Sequence, residues 1–149
     1  MISGQFDMQY LAWLLNAAAL AFGAVLGVRA VLDPAWAAKL VRLKADEARP
    51  GGFAEFRATY GGVFAASHVM AFLLSAHWIL SGSFISGAYG AGAALVLGAA
   101  WLGSAAGRSL SMLRDQTATG FNKASTLIET ATGLCIIAPW AVWTVSLPA

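Results

Sequence analysis

The chain has 149 residues, 59% of them hydrophobic and only 11% charged, with a mean hydropathy of +0.70 and a formal charge of +2. Soluble domains carry about 25% charged residues, and a water-soluble fold of this composition would expose too much apolar surface. The length suits one domain, residues 1–149, and the composition makes it an integral membrane domain. A single cysteine, Cys135, excludes an internal disulfide and two-cysteine redox chemistry within the chain, and no basic run interleaved with aromatics points to nucleic acid.

The first apolar run, 8–32, is long enough to cross about 30 Å of hydrocarbon at 1.5 Å per residue. Asp7 precedes it and no Lys or Arg does, so it reads as a retained span rather than a secretory signal. Asn16, Gly23, Gly27 and Ala30 fall on one helical stripe, where small residues allow a close helix neighbour. Asp33 and Pro34 then read as N-cap and first position of a short helix, 34–45. Trp36, Leu40 and Leu43 share one face of it, and Lys39, Arg42 and Lys44 supply the polar side, which suits the headgroup region of a bilayer. Arg49-Pro50-Gly51-Gly52 ends this element.

The second span, 56–80, opens on Glu55-Phe-Arg57-Ala-Thr-Tyr60-Gly61-Gly62. An acid, a base and a phenol there are costly unless they face protein, water or one another. At 100° per residue Arg57, Gly61, Phe64, His68 and Ser75 share a face, with Glu55 and His77 roughly opposite. His68 falls near mid-membrane and His77 near the far interface. Neither has a Cys or second His four residues away, so no metal-binding spacing is present. Lying on opposite faces of one helix, the two histidines of one chain cannot both clamp a haem iron. The third span, 84–113, carries a small-residue face of Gly87, Ala91, Ala94, Gly98 and Ala105. Gly103-x-x-x-Gly107 adds a close-packing motif. Ser104, Arg108, Ser111 and Asp115 form a polar stripe at its end. The fourth span, 123–145, has an inward stripe of Asn122, Ser125, Glu129, Thr132, Gly133 and Ile136. Glu129 is the deepest acid, about 8 Å past the helix start. Pro139 is expected to kink the far half, and Trp140 and Trp143 to anchor the far interface.

All nine basic residues lie in or beside the first and third connections. The positive-inside rule therefore puts both connections in the cytoplasm and both termini in the periplasm. The expected class is all-α, an integral membrane four-helix bundle with periplasmic termini. Glu55, Arg57, Tyr60, His68, Arg108 and Glu129 are the candidate site residues. All but the deeper His68 cluster toward the cytoplasmic side, where span ends meet. A buried acid must pair, so Glu129 is expected to bridge to Arg57, Arg108 or both. Such a layer is either a structural clasp between helices or the mouth of a polar pocket.

Glu55-x-Arg57-Ala58-x-Tyr60-Gly61-Gly62, the later Gly107-Arg108 and the acid of the last span resemble an uncharacterised family of small bacterial four-helix inner-membrane proteins, a domain of unknown function. The likeness runs from the first span to the last. It implies four helices and a multi-pass protein of the bacterial inner (cytoplasmic) membrane, and it brings no catalytic residue with it. The architecture is more loosely similar to DoxX-like membrane proteins, some of which accompany quinone-linked oxidoreductases.

Three functions fit. The first is a non-enzymatic membrane protein, a homo-oligomer or an accessory subunit of a larger complex, with the lipid bilayer and a partner membrane protein as its surroundings. The second is a binder or enzyme for a hydrophobic ligand such as a quinone, lipid or isoprenoid, held between helices near the cytoplasmic side. There Tyr60 or Glu129 would move a proton. The third is a small transporter or a proton or anion path. No nucleophile elbow, metal motif or phosphate loop fixes a reaction, and the cofactor, if any, is unknown from sequence.

Overall fold

The computed structural model describes residues 2–45 and 51–146. The protein is all-α. Helix α1 spans Ile2–Leu32, α2 Pro34–Val41 and α3 Gly52–Glu55. A π-helical segment, Phe56–Val63, leads straight into α4, Phe64–Ser81; α5, Phe84–Arg114, and α6, Gly120–Ser146, follow. Four stretches are long and apolar enough to cross a membrane: Met8–Leu32, Gly52–Ser81, Phe84–Arg114 and Gly120–Val145. This is the four-helix integral membrane class that the composition predicts. Arg49 and Pro50 lie outside the described residues.

Local chemistry explains the breaks. The Asp33 carboxylate accepts the Trp36 backbone N–H at 2.9 Å, with Pro34 at the first helical position. The short helix ends at Val41 rather than near Ala45. Arg42 turns left-handed, with φ 57°, and returns its N–H to the carbonyls of Ala38 and Lys39. Gly82, at φ 63°, makes the tight turn between α4 and α5.

Two compact units divide the chain, one of residues 20–73 and the other of residues up to 19 and from 74 on. In the first unit, α1 runs antiparallel to the π-helical segment and α4, at near backbone contact. A Cβ on Gly27 would fall 2.4 Å from the Ala65 backbone nitrogen, and one on Gly61 2.8 Å from that of Val31. Glycine is required because helices in lipid gain little from the hydrophobic effect and associate by close packing. Ala30, Ala37, Ala38 and Phe56 form the buried cluster of this unit, with Trp36 against it.

In the second unit, Trp13 is fully buried. It stacks on Trp78 at 4.6 Å between ring centroids and meets Trp143 edge-on at 6.4 Å. Gly87 and Gly90 make room for these indoles, since a Cβ on either would come within 3 Å of Trp143 or Trp13. Trp143, expected as an interface anchor, is partly buried and also packs against the Trp13–Trp78 pair. Helices α5 and α6 lie antiparallel, with Gly98 against Ile137 and Gly133 against Leu102. The predicted small-residue face of α5 is buried at all five positions. The Gly103–Gly107 pair is not part of it: both glycines are exposed, and a Cβ on either would meet nothing within 4 Å among the described residues.

Candidate functional site

Two of the six predicted site residues come together. Arg108, near the end of α5, and Glu129, in α6, form a forked ion pair. The Arg108 Nη2 donates to Glu129 Oε1 at 2.7 Å, and its Nε donates to both carboxylate oxygens at 3.1 and 3.2 Å. A planar guanidinium suits a carboxylate in this way, and such charge-assisted pairs are the strong ones. The antiparallel packing of α5 on α6 brings 108 and 129 level. The deletion of side chains at Gly98 and Gly133 lets the helices approach closely enough for the reach.

The pair is held by a second layer. Arg108 Nη1 donates to Asn122 Oδ1 at 3.3 Å, and Asn122 Nδ2 donates to the Thr117 carbonyl at 2.7 Å. Ser111 and Thr117 share a hydroxyl hydrogen bond at 3.0 Å. The network thus ties the α5–α6 loop to both helix ends. The Glu129 side chain is 10% exposed and that of Arg108 31%, so the acid is enclosed and the base faces partly outward.

The other four candidates belong to the unit of residues 20–73, and each has its own local role. Arg57 donates through Nη1 to the carbonyl of Val31, in the last turn of α1. Carbonyls there run out of intrahelical donors, and a cation offsets the negative end of the helix dipole. Arg108 is an observed partner of Glu129. Tyr60 stacks on Phe56 at 5.4 Å between ring centroids and is exposed. Glu55 is exposed in α3. His68 is buried at 1% exposure, with Nδ1 2.8 Å from the Phe64 carbonyl one turn earlier. A carbonyl only accepts, so Nδ1 carries the proton. The ring lies against Gly23, where a Cβ would fall 2.2 Å from Cδ2. His68 thus fills the space that a glycine leaves.

Sequence reasoning missed a second polar joint. Asn16, fully buried in α1, donates through Nδ2 to the Ile136 carbonyl at 2.6 Å and accepts from the Ser75 hydroxyl at 2.7 Å. An amide side chain inside a span must find its partners in the protein, because lipid offers none. The signal was present as Asn16 on the small-residue stripe of one span and Ser75 on the polar face of another. No group of three or more His, Cys, Asp or Glu side chains that could hold a metal ion occurs among the described residues.

The class that these features define is a multi-pass, four-helix integral membrane protein with intramembrane polar joints. No family model matches the chain, and neither a curated protein nor a solved structure does.

Proposed function

We propose that the protein is a non-enzymatic membrane component, acting as a homo-oligomer or as an accessory subunit of a larger membrane complex. The observation that carries this reading is the Arg108–Glu129 pair with Asn122 behind it. Both carboxylate oxygens are engaged by one guanidinium, and the acid is enclosed. A group so occupied is arranged to join two helices rather than to shuttle a proton. The same use recurs at Asn16 and Arg57, each bonded to a carbonyl of another helix. The long apolar faces of α1 and α5, with Val25, Val96 and Leu113 strongly exposed, leave ample surface for lipid or another membrane subunit.

One observation favours a second reading, a binder of a quinone or lipid. Arg108 keeps 31% of its side chain exposed, and a guanidinium has five N–H donors, more than Glu129 and Asn122 use. A carbonyl or phosphate oxygen of a hydrophobic ligand would fit there. A setting in the bacterial inner membrane with periplasmic termini, and membership of the uncharacterised four-helix family, belong to the same proposal. They are supported by the clustering of basic residues and by Glu55-x-Arg57-Ala58-x-Tyr60-Gly61-Gly62.

The test is native mass spectrometry from purified membranes, wild type beside Glu129→Gln. A ligand-free assembly that dissociates in the variant supports the structural role. A quinone or lipid that is bound in wild type and lost in the variant transfers the site to the second reading. A variant identical to wild type in both respects refutes a functional part for the pair.

A further inference from the structure

We propose that the segment Lys39–Lys44, at the end of α2, is a docking surface for the headgroups of anionic phospholipids. The argument begins with where α2 can be. The apolar span of α1 ends at Leu32, and α2 starts at Pro34. Eight residues make about 12 Å of helix, too short to cross a bilayer, so the element sits at the edge of the hydrocarbon.

One side of it is already used. Pro34, Ala37 and Ala38 are buried, the two alanines packing with Ala30 and Phe56. The Arg29 guanidinium lies over the Trp36 ring at 4.2 Å and fixes the turn between α1 and α2. The far end is then turned outward: every residue from Lys39 to Lys44 is exposed. Three of them are basic, Lys39, Arg42 and Lys44. The other three are apolar, with Leu40 42%, Val41 37% and Leu43 51% exposed.

This mixture selects the occupant. A solvated loop has no use for three exposed aliphatic side chains, and a free phosphate ion would engage none of them. A bilayer surface uses both kinds, the aliphatic groups entering the top of the acyl chains and the cations meeting phosphates. From Pro34 to Ala45 there is no acid, and Arg42 has a further interaction within the chain, so Lys39 and Lys44 are the cations offered first to the phosphates. The cations also gather at the carboxyl end of α2, where the helix dipole favours them. Asp46 and Glu47 follow in sequence and lie outside the described residues.

The experiment uses the full-length protein reconstituted in phosphatidylcholine vesicles with trace spin-labelled phosphatidylglycerol or spin-labelled phosphatidylcholine. Electron spin resonance reads the lipid fraction immobilised at the protein. Each basic residue near an anionic surface favours contact by about fivefold. Averaged over all lipids around the protein, wild type should prefer phosphatidylglycerol by about threefold. K39Q/R42Q/K44Q should bring that ratio to about one, as should about 0.5 M salt, which shortens the Debye length to a few ångströms. The charge-conserving K39R/R42K/K44R should keep the preference, as should R114Q/K123Q at the other basic connection. No preference in wild type overturns the proposal and leaves an acidic protein surface as the alternative occupant. So does a preference that survives K39Q/R42Q/K44Q, or one that R114Q/K123Q abolishes equally.

Discussion

Removing the Glu129 carboxylate should destabilise the protein mainly by stranding Arg108, and a double-mutant cycle measures this directly. Breaking one side of a buried ion pair costs about 3–5 kcal/mol. Arg108 keeps 31% of its side chain exposed, so its surroundings recover part of the loss. Glu129→Leu is therefore expected to cost about 2–3 kcal/mol. Arg108→Met leaves the more enclosed acid alone, and should cost about 3–4 kcal/mol. The double variant replaces a pair by apolar groups in an apolar place, often a near-neutral change. With Asn122 also losing a partner, its cost should be about 1–2 kcal/mol. The implied coupling is about 3 kcal/mol or more, at or above the upper end of the range for residues of one network. The assay is reversible unfolding in bicelles, read by steric trapping or by loss of helicity in detergent. Additivity of the two single variants, with coupling below about 0.5 kcal/mol, would refute the claim that this pair clasps α5 to α6.

Other positions give sharper geometric tests. Gly27→Leu places a side chain where even a Cβ would meet the Ala65 backbone at 2.4 Å; the same unfolding assay should show a loss of about 1–3 kcal/mol or more. Gly103→Ala and Gly107→Ala meet nothing and should be neutral or stabilising by up to about 1 kcal/mol each in the monomer; a clear loss would show that this face is covered by another chain. Asn16→Leu removes the donor to the Ile136 carbonyl and the acceptor of Ser75, and should cost about 1–2 kcal/mol in the same unfolding assay. His68→Asn retains a donor near the position of Nδ1 but empties the space beside Gly23; thermal melting in detergent should fall more than for His77→Asn, whose ring is exposed.

Several features of the fold were legible because they rest on local spacing. The stripe Gly87, Ala91, Ala94, Gly98, Ala105 announces a buried face, since small residues three or four apart are useful only where another helix approaches. Glu129 with Arg108 was legible for a different reason: an acid placed deep in a span needs a cation, and few lie at its depth. Three features were not. The π-helical turn over Phe56–Val63 adds about one residue per turn, which a fixed 100° step cannot anticipate. Glu-x-Arg-x-x-Tyr positions were therefore assigned to faces on a geometry that this segment lacks. Trp143 reads as an interface anchor because tryptophan near a span end commonly is one. Its packing against Trp13, as a partly buried ring, depends on Gly87, 56 positions earlier in the chain, leaving room for it. The Asn16 joint pairs residues 120 positions apart, and its acceptor is a backbone carbonyl, which no side-chain pattern marks.

The missed features share a cause that bears on function. In lipid a helix gains nothing by hiding leucines from its solvent, so hydrophobic periodicity does not say which faces meet. Contacts are specified instead by what is absent, as at Gly23, Gly27, Gly61, Gly98 and Gly133, and by polar groups that lipid cannot satisfy. Every long-range side-chain hydrogen bond described within the spans joins such a polar group to another helix or its carbonyl: Asn16 to α6, Ser75 to α1, Arg57 to the end of α1, Arg108 to α6. A binding or catalytic site would be expected to hold some of these groups in reserve for a ligand. Here Asn16, Ser75 and Glu129 are each engaged within the chain, the buried Trp13 Nε1 is without a partner among the described residues, and the partly exposed Arg108 is the charged member with donors to spare. If the protein has a ligand, Arg108 is where it should be found. If it has none, the same residue marks the side of the α5–α6 pair from which a partner subunit would reach the clasp.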